Sequence, residues 1–426
     1  MSNSSVESKQ HNPNITDPKN PNSADRNNPN TLGLNNPSTL DPINPNITDP
    51  IESLYIHVPF CTRKCGYCDF YSISSKVADF SAFYQGLQTE LAATLSDIEH
   101  NKLPLNRLKT LYIGGGTPSV LPHDVITSLT ELIRTEIGFA QDLEFTVEVN
   151  PEPIGHNTVV AAIAAGANRI SIGYQAKQDF LLQKIGRLHT FADFLTTLNL
   201  VRTAGVENIS CDLMFGLPDQ TLNNVLESAG QLIELEIPHI SFYSLILEQG
   251  TLFYKKYAEH PELLPSDDLE RLMYRELLDL FEKHQFQYYE LSSTAKPGFY
   301  SRHNYNYWST KPYLGLGPAA HSYYNGIRRG NVRSFKEWSE NPFTSSELEP
   351  VSFFQAMQEY AMLSFRLASG FSPDKFKQRF GIDQPFESEL ERLLNKDLIY
   401  YNPNSKSYIL TEKGLDFGNQ VFLEFV

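Results

Sequence analysis

Three of the four cysteines in this 426-residue chain fall within eight residues, as Cys61, Cys65 and Cys68 in the run His57-Val-Pro-Phe-Cys-Thr-Arg-Lys-Cys-Gly-Tyr-Cys-Asp-Phe. Soft thiolates this close together select zinc or iron–sulfur. A closed zinc site wants four ligands, and no second Cys or His pair with ligand spacing accompanies the three. An ordinary ferredoxin cluster also wants four thiolates. The spacing therefore predicts a [4Fe–4S] cluster with one iron left open to an exogenous ligand. Cys211 stands apart and reads as a small core residue.

Other chemistry-bearing residues end apolar runs. Gly114-Gly-Gly-Thr-Pro-Ser would let backbone groups approach a ligand closely, although alone it is equally a tight turn. Glu148 lies inside Val-Glu-Val-Asn-Pro, where a carboxylate among apolar neighbours needs a partner or a function. Gln175 closes Arg-Ile-Ser-Ile-Gly-Tyr-Gln, Arg187 lies in Ile-Gly-Arg-Leu-His, and Asp212 in Cys-Asp-Leu-Met-Phe-Gly-Leu-Pro. Taken singly, each of the charged residues could also belong to a buried ion pair.

The elements that must position these residues are legible from Leu54 onward. Short β-branched or aromatic runs stand at 53–58, 110–113, 144–149, 169–173, 208–215 and 239–247, with helical apolar spacing between them at Phe80–Leu91, Val125–Ile133 and Val225–Leu235. This alternation predicts stacked βαβ units around a parallel sheet covered on both faces, and six repeats suggest a barrel or partial barrel. Chemistry in such folds sits on the loops after the strands, which is where every motif above lies. A domain is expected over 51–340, then a break near 340–350. Over 350–426 the pattern is helical, with Ser372-Pro373 as cap and first residue of a helix, and a closing hairpin near 398–410. That order resembles a winged helix. The segment holds 8 basic and 10 acidic residues, so the charge needed to neutralise phosphates is missing, and a structural or partner-binding module is expected instead.

Residues 1–50 differ in kind. They hold 12 Asn and 8 Pro, and Asn-Pro-Asn-Ile-Thr-Asp-Pro occurs at both 12–18 and 44–50. Such a segment buries too little apolar surface to offset backbone ordering, and a disordered tail is expected. Over the whole chain, 50 acidic against 35 basic residues leave a net charge of −15, which argues against general nucleic-acid binding. No apolar stretch approaches the roughly 18 residues of a spanning helix, and the polar start lacks a secretory h-region. Four cysteines in so long a chain make no disulfide framework, and a cytoplasmic location is expected.

The CxxxCxxC run after a first strand resembles the signature of radical S-adenosylmethionine (SAM) proteins, with a partial (β/α)6-type barrel. The resemblance spans roughly residues 52–426 and is to the coproporphyrinogen-dehydrogenase-like branch. It implies that Cys61, Cys65 and Cys68 hold the cluster. It also implies that Tyr55, Tyr67, Gly115, Gly116, Thr117, Glu148, Gln175, Arg187 and Asp212 line the SAM site. Within the branch, the dehydrogenases carry a fourth cysteine where this chain has Phe70, and a structured N-terminal extension that residues 1–50 cannot supply. The run His303-Asn-Tyr-Asn-Tyr-Trp308 looks like the HNxxYW motif linked to haem binding in the HemW haem chaperones. A neutral imidazole can ligate haem iron, and Tyr and Trp offer flat apolar faces to a porphyrin. Alone, His303 would read as a satisfied core histidine. Together with Phe70, the hexapeptide favours haem binding. The expectation is a haem chaperone holding a cluster, SAM and haem, and serving respiratory haem enzymes. A haem donor protein and a homodimer are further partners that the resemblance implies. The alternative is an oxygen-independent coproporphyrinogen III dehydrogenase.

Overall fold

The computed structural model describes residues 48–426, so the expected tail lies outside the described residues as far as residue 47. The end of that segment is placed: Asp49 forms an ion pair with Arg379 at 2.9 Å.

Six parallel strands carry the architecture: β1 (Ile51–Val58), β2 (Leu105–Gly115), β3 (Phe139–Val149), β4 (Arg169–Gln175), β5 (Asn208–Phe215) and β6 (His239–Ser244). They lie side by side in chain order. The connections contain α1 (Phe80–His100), α2 (His123–Glu136), α3 (His156–Ala164), α4 (Phe191–Thr203) and α5 (Leu222–Glu234). Strand Leu314–Leu316 adds to β1 in parallel, and Ser293–Ala295 adds to β6 antiparallel. The outermost strands do not pair with each other, so the barrel is partial.

Local sequence explains these elements. All seven residues of β4 are buried, as befits a parallel strand covered on both faces. Thr190 with Asp193 and Thr221 with Asn224 form capping boxes that start α4 and α5. Val225, Ala229 and Leu232 then recur on one face of α5 and bury it against the sheet core. Cys211 is fully buried in that core.

Beyond the sheet, helices Phe353–Ser364, Pro373–Phe380 and Glu387–Asn395 precede an antiparallel hairpin of Ile399–Asn402 and Ser407–Leu410. The Ser372 hydroxyl accepts from the Lys375 amide and Pro373 is the first helical residue, so this helix starts as its sequence dictates. These elements share a phenylalanine-rich core, with Phe365, Phe371, Phe376, Phe380 and Phe386, separate from the sheet core.

The break expected at 340–350 contains a strand, Ser345–Pro350, paired with Ile327–Asn331. Its Glu- and Pro-rich sequence reads as linker because the strand is almost wholly exposed at a sheet edge. This small sheet is fastened to α1 by Glu90. Its carboxylate accepts from the Gly317 amide at 2.8 Å, Trp338 Nε1 at 3.0 Å and Asn331 Nδ2 at 2.5 Å. Burial pushes the Glu90 carboxyl up to about 7. Among the described residues, no helix is long and apolar enough to cross a membrane.

Candidate functional site

The cysteine loop leaves β1 and is closed at its base. The Ile73 amide donates to the Pro59 carbonyl at 2.7 Å, and His57 Nε2 donates to the Tyr71 carbonyl at 2.8 Å. Its middle is pinned where Gly66 accepts from the Phe253 amide at 2.8 Å, while a Cβ on Gly66 would stand 2.5 Å from the Phe253 ring. Cys61 is buried, and Cys65 and Cys68 are half-buried. Burial pushes the Cys68 thiol up to about 11 and raises that of Cys61.

The loop after β2 cradles the first thiol. The Gly116 amide donates to the Val58 carbonyl and that of Thr117 to Phe60, both at 2.8 Å. The Thr117 hydroxyl donates to Cys61 Sγ at 3.4 Å. A Cβ on Gly116 would meet the Phe60 carbonyl oxygen at 2.7 Å and Cys61 Sγ at 3.1 Å, so glycine is required for this approach. Among the described residues, no three His, Cys, Asp or Glu side chains are arranged to hold a single metal ion. Three thiols that share one cavity suit an iron–sulfur cluster, whose anchors sit on separate irons.

A polar network continues from the other strand ends. Arg187 donates to Asn150 Oδ1 at 2.6 Å and to the Tyr67 hydroxyl at 2.8 Å. Asn150 Nδ2 donates to Thr117 Oγ1 at 3.0 Å, which joins that network to Cys61. Glu148 accepts from the Tyr112 hydroxyl at 2.7 Å and from the Gly115 amide at 3.0 Å. Gly115 offers that amide with φ at 107°, a conformation that favours glycine. Burial pushes Glu148 up to about 7, and pushes Asp212 up to about 6 against the pull of Arg187 and Arg169. The three cysteines, Tyr67, Gly115–Thr117, Glu148, Arg187 and Asp212 all face one cavity of about 490 Å³.

Two residues expected there lie elsewhere. Tyr55 faces a neighbouring cavity of about 630 Å³ and donates to His57 Nδ1 at 3.0 Å. Gln175 is fully buried with φ at 66° and accepts from the Tyr243 hydroxyl at 3.2 Å. Tyr243, not Gln175, reaches the first cavity. His303 lines the second cavity with Asn304, Tyr307 and Trp308 of its helix, Arg302–Trp308. Both of its ring nitrogens are occupied, Nδ1 with Thr110 Oγ1 at 2.8 Å and Nε2 with the Tyr307 hydroxyl at 2.7 Å. Burial pushes its imidazole down to about 3, so it is neutral. In this structure it packs as a satisfied core histidine and presents no free nitrogen to a metal.

Asn150, Tyr112 and Tyr243 are functional-site residues that sequence reasoning passed over. Asn150 follows Glu148 by two positions at a strand end, and strand alternation places such a pair on one side. The tyrosines carried no comparable signal. Phe70, Tyr112, Glu148 and Asn304 line both cavities, so the two adjoin.

Comparison with known proteins agrees with this geometry. Residues 55–232 match the family model described as the radical SAM superfamily. The chain is 37% identical to the heme chaperone HemW of Bacillus subtilis over 88% of this chain and 99% of that protein. It is 34% identical to the heme chaperone HemW of Haemophilus influenzae over 88% and 97%. Mouse radical S-adenosyl methionine domain-containing protein 1, mitochondrial, is 35% identical over 63% of this chain and 60% of its own. Among solved structures, the coproporphyrinogen III oxidase HemN of Escherichia coli, a radical SAM enzyme, superposes with a TM-score of 0.75. It covers 89% of this chain and 90% of its own at 20% identity, a likeness of fold.

Proposed function

The chain belongs to the radical SAM superfamily, in its HemN/HemW-like branch, and from that premise we propose that it is a haem chaperone. It holds a [4Fe–4S] cluster and SAM in the first cavity, takes haem into the second, and delivers it to respiratory haem enzymes. The observation that carries this reading is the end-to-end relationship to the named chaperones. The 630 Å³ cavity beside the cysteine loop supports it, being within the range of about 300–1,000 Å³ of small-molecule cofactor sites.

Cys61, Cys65 and Cys68 would hold the cluster, which when bound and reduced would supply the electron for reductive cleavage of SAM. The chain's own part is to bind and orient. Gly115–Thr117 bring backbone close to the cluster, Arg187 and Asn150 brace Tyr67 and Thr117, and Glu148 and Asp212 offer acceptors to SAM. Tyr55 and Gln175 support this site from behind, through His57 and Tyr243. His303 with its helix walls the haem cavity. The protein works in the cytoplasm, as a monomer or a cluster-dependent homodimer, and receives haem from a donor protein or the free pool.

A second reading, oxidative decarboxylation of coproporphyrinogen III, is favoured by the completeness of the polar network around the first cavity. Anaerobic reconstitution followed by haem titration, with and without SAM, tests the first reading. Stoichiometric haem uptake is the expected result. Protoporphyrinogen IX formed from coproporphyrinogen III, SAM and a reductant would establish the second instead.

A further inference from the structure

Three histidines line the second cavity: His57, His303 and His321. The nitrogens of His57 are spent on Tyr55 and Tyr71, and those of His303 on Thr110 and Tyr307. Making either one an iron ligand breaks a buried hydrogen bond and strands its partner, at a cost of about 1–3 kcal/mol. His321 differs. It opens the strand His321–Tyr324, is exposed to the cavity, and its ring makes no hydrogen bond among the described residues.

The backbone around His321 is built for that placement. Its strand pairs with Ile327–Asn331 so that His321 stands opposite Gly330. A Cβ on Gly330 would come within 3.0 Å of the His321 ring, so the absence of a side chain lets the imidazole lie across the neighbouring strand. Gly315 performs the same service for the main chain, where a Cβ would collide with the His321 carbonyl.

Elsewhere in the same cavity two buried donors lack an acceptor among the described residues, Trp308 Nε1 and Thr310 Oγ1. A buried donor without an acceptor is costly, and two such donors close in the chain suit a carboxylate ligand. Phe70, 58% exposed, offers a flat apolar face between this cavity and the cysteine loop. A planar apolar ring that carries a metal and carboxylates matches all three features.

We infer that haem in the second cavity is ligated through its iron by His321, with its propionates at Trp308 and Thr310 and Phe70 against its macrocycle. This rests on the haem reading above and goes beyond it by assigning the ligand outside the HNxxYW helix. In the step itself, one imidazole nitrogen of His321 donates its lone pair to the ferric iron in place of water. The other nitrogen keeps its proton, and no electron is transferred.

The test uses the full-length, anaerobically reconstituted protein with ferric haem and with metal-free protoporphyrin IX as probes. Wild type is expected to prefer ferric haem by at least about tenfold, and to show an iron–histidine stretch by resonance Raman once reduced. In His321→Ala that preference collapses and the stretch disappears, and added imidazole restores the stretch. In His303→Ala the stretch persists. Gly330→Ala, which keeps every candidate ligand but crowds the His321 ring, shifts the stretch and weakens the preference, and it serves if His321→Ala does not fold. An unchanged stretch in both His321→Ala and Gly330→Ala, or its loss in His303→Ala alone, overturns the ligand assignment and leaves haem binding intact. Failure of the wild type to bind either probe overturns the haem reading itself.

Discussion

The two adjoining cavities are built in opposite ways. The first is assembled from strand ends, and its side chains are largely committed to one another: Arg187 to Asn150 and Tyr67, Asn150 to Thr117, Thr117 to Cys61, and Glu148 to Tyr112 and Gly115. The second is walled by segments scattered from Tyr55 to Leu363, and among the described residues its His321 ring, Trp308 Nε1 and Thr310 Oγ1 are unspent. A site whose groups already brace each other holds its geometry before the ligand arrives, which suits a cofactor that stays. A cavity that keeps donors in reserve gains them on loading and loses them on release. That is what a carrier of cargo requires.

The largest expected effect tests the first cavity. Replacing any one of Cys61, Cys65 or Cys68 by Ser removes one of only three anchors and abolishes cluster assembly, read by iron and sulfide content. Retention of four irons in each single variant breaks the ligand assignment. Next, Arg187→Met leaves Tyr67 and Asn150 without their shared donor and removes the larger of the two cationic pulls on Asp212. A hydrogen bond to a charged group contributes about 1.5–3 kcal/mol, so SAM binding measured at equilibrium falls by about one to two orders of magnitude. Undiminished binding would mean that the network braces the fold but not the ligand.

On the other side of the comparison, Glu90 fastens the sheet that carries His321. Its folded pKa of about 7 lies above the ordinary 4.5. The folded state therefore holds its proton more tightly, and this contribution to stability, complete below pH 4.5, is lost as pH rises through about 7. The shift corresponds to stability on the order of 3 kcal/mol. The stability difference between wild type and Glu90→Gln should thus move against wild type between pH 4.5 and 8 in chemical denaturation. A flat difference would show that the three donors hold this carboxyl ionised throughout. The smallest effect belongs to Phe70→Ala, which removes about 1–2 kcal/mol of apolar contact and weakens haem binding about tenfold. An equal loss of cluster content would assign Phe70 to the first cavity alone.

Several residues singled out in the chain take other places in the fold than the sequence suggested. The family resemblance implied Tyr55 beside SAM, yet it faces the second cavity together with His57, two residues on. Gln175 ends a strand as expected, but its left-handed backbone, φ 66°, carries its side chain behind Tyr243. The imidazole of His303 sits in the expected motif, and only its two partners, one from 193 residues away, show that its nitrogens are taken.

The chain by itself determined the six strands, with Glu148 and Asp212 on two of them, the helices between them and the strand-end loops that carry the cysteines and glycines. Those features depend on period, cap and turn chemistry within a few residues, so they are written in local order. Tertiary structure alone decided which histidine keeps a free nitrogen, which side chains wall the second cavity, and that the two cavities meet at Phe70 and Glu148. Each of those depends on partners brought together from distant segments, and no local pattern records which hydrogen bonds the folded chain will already have spent.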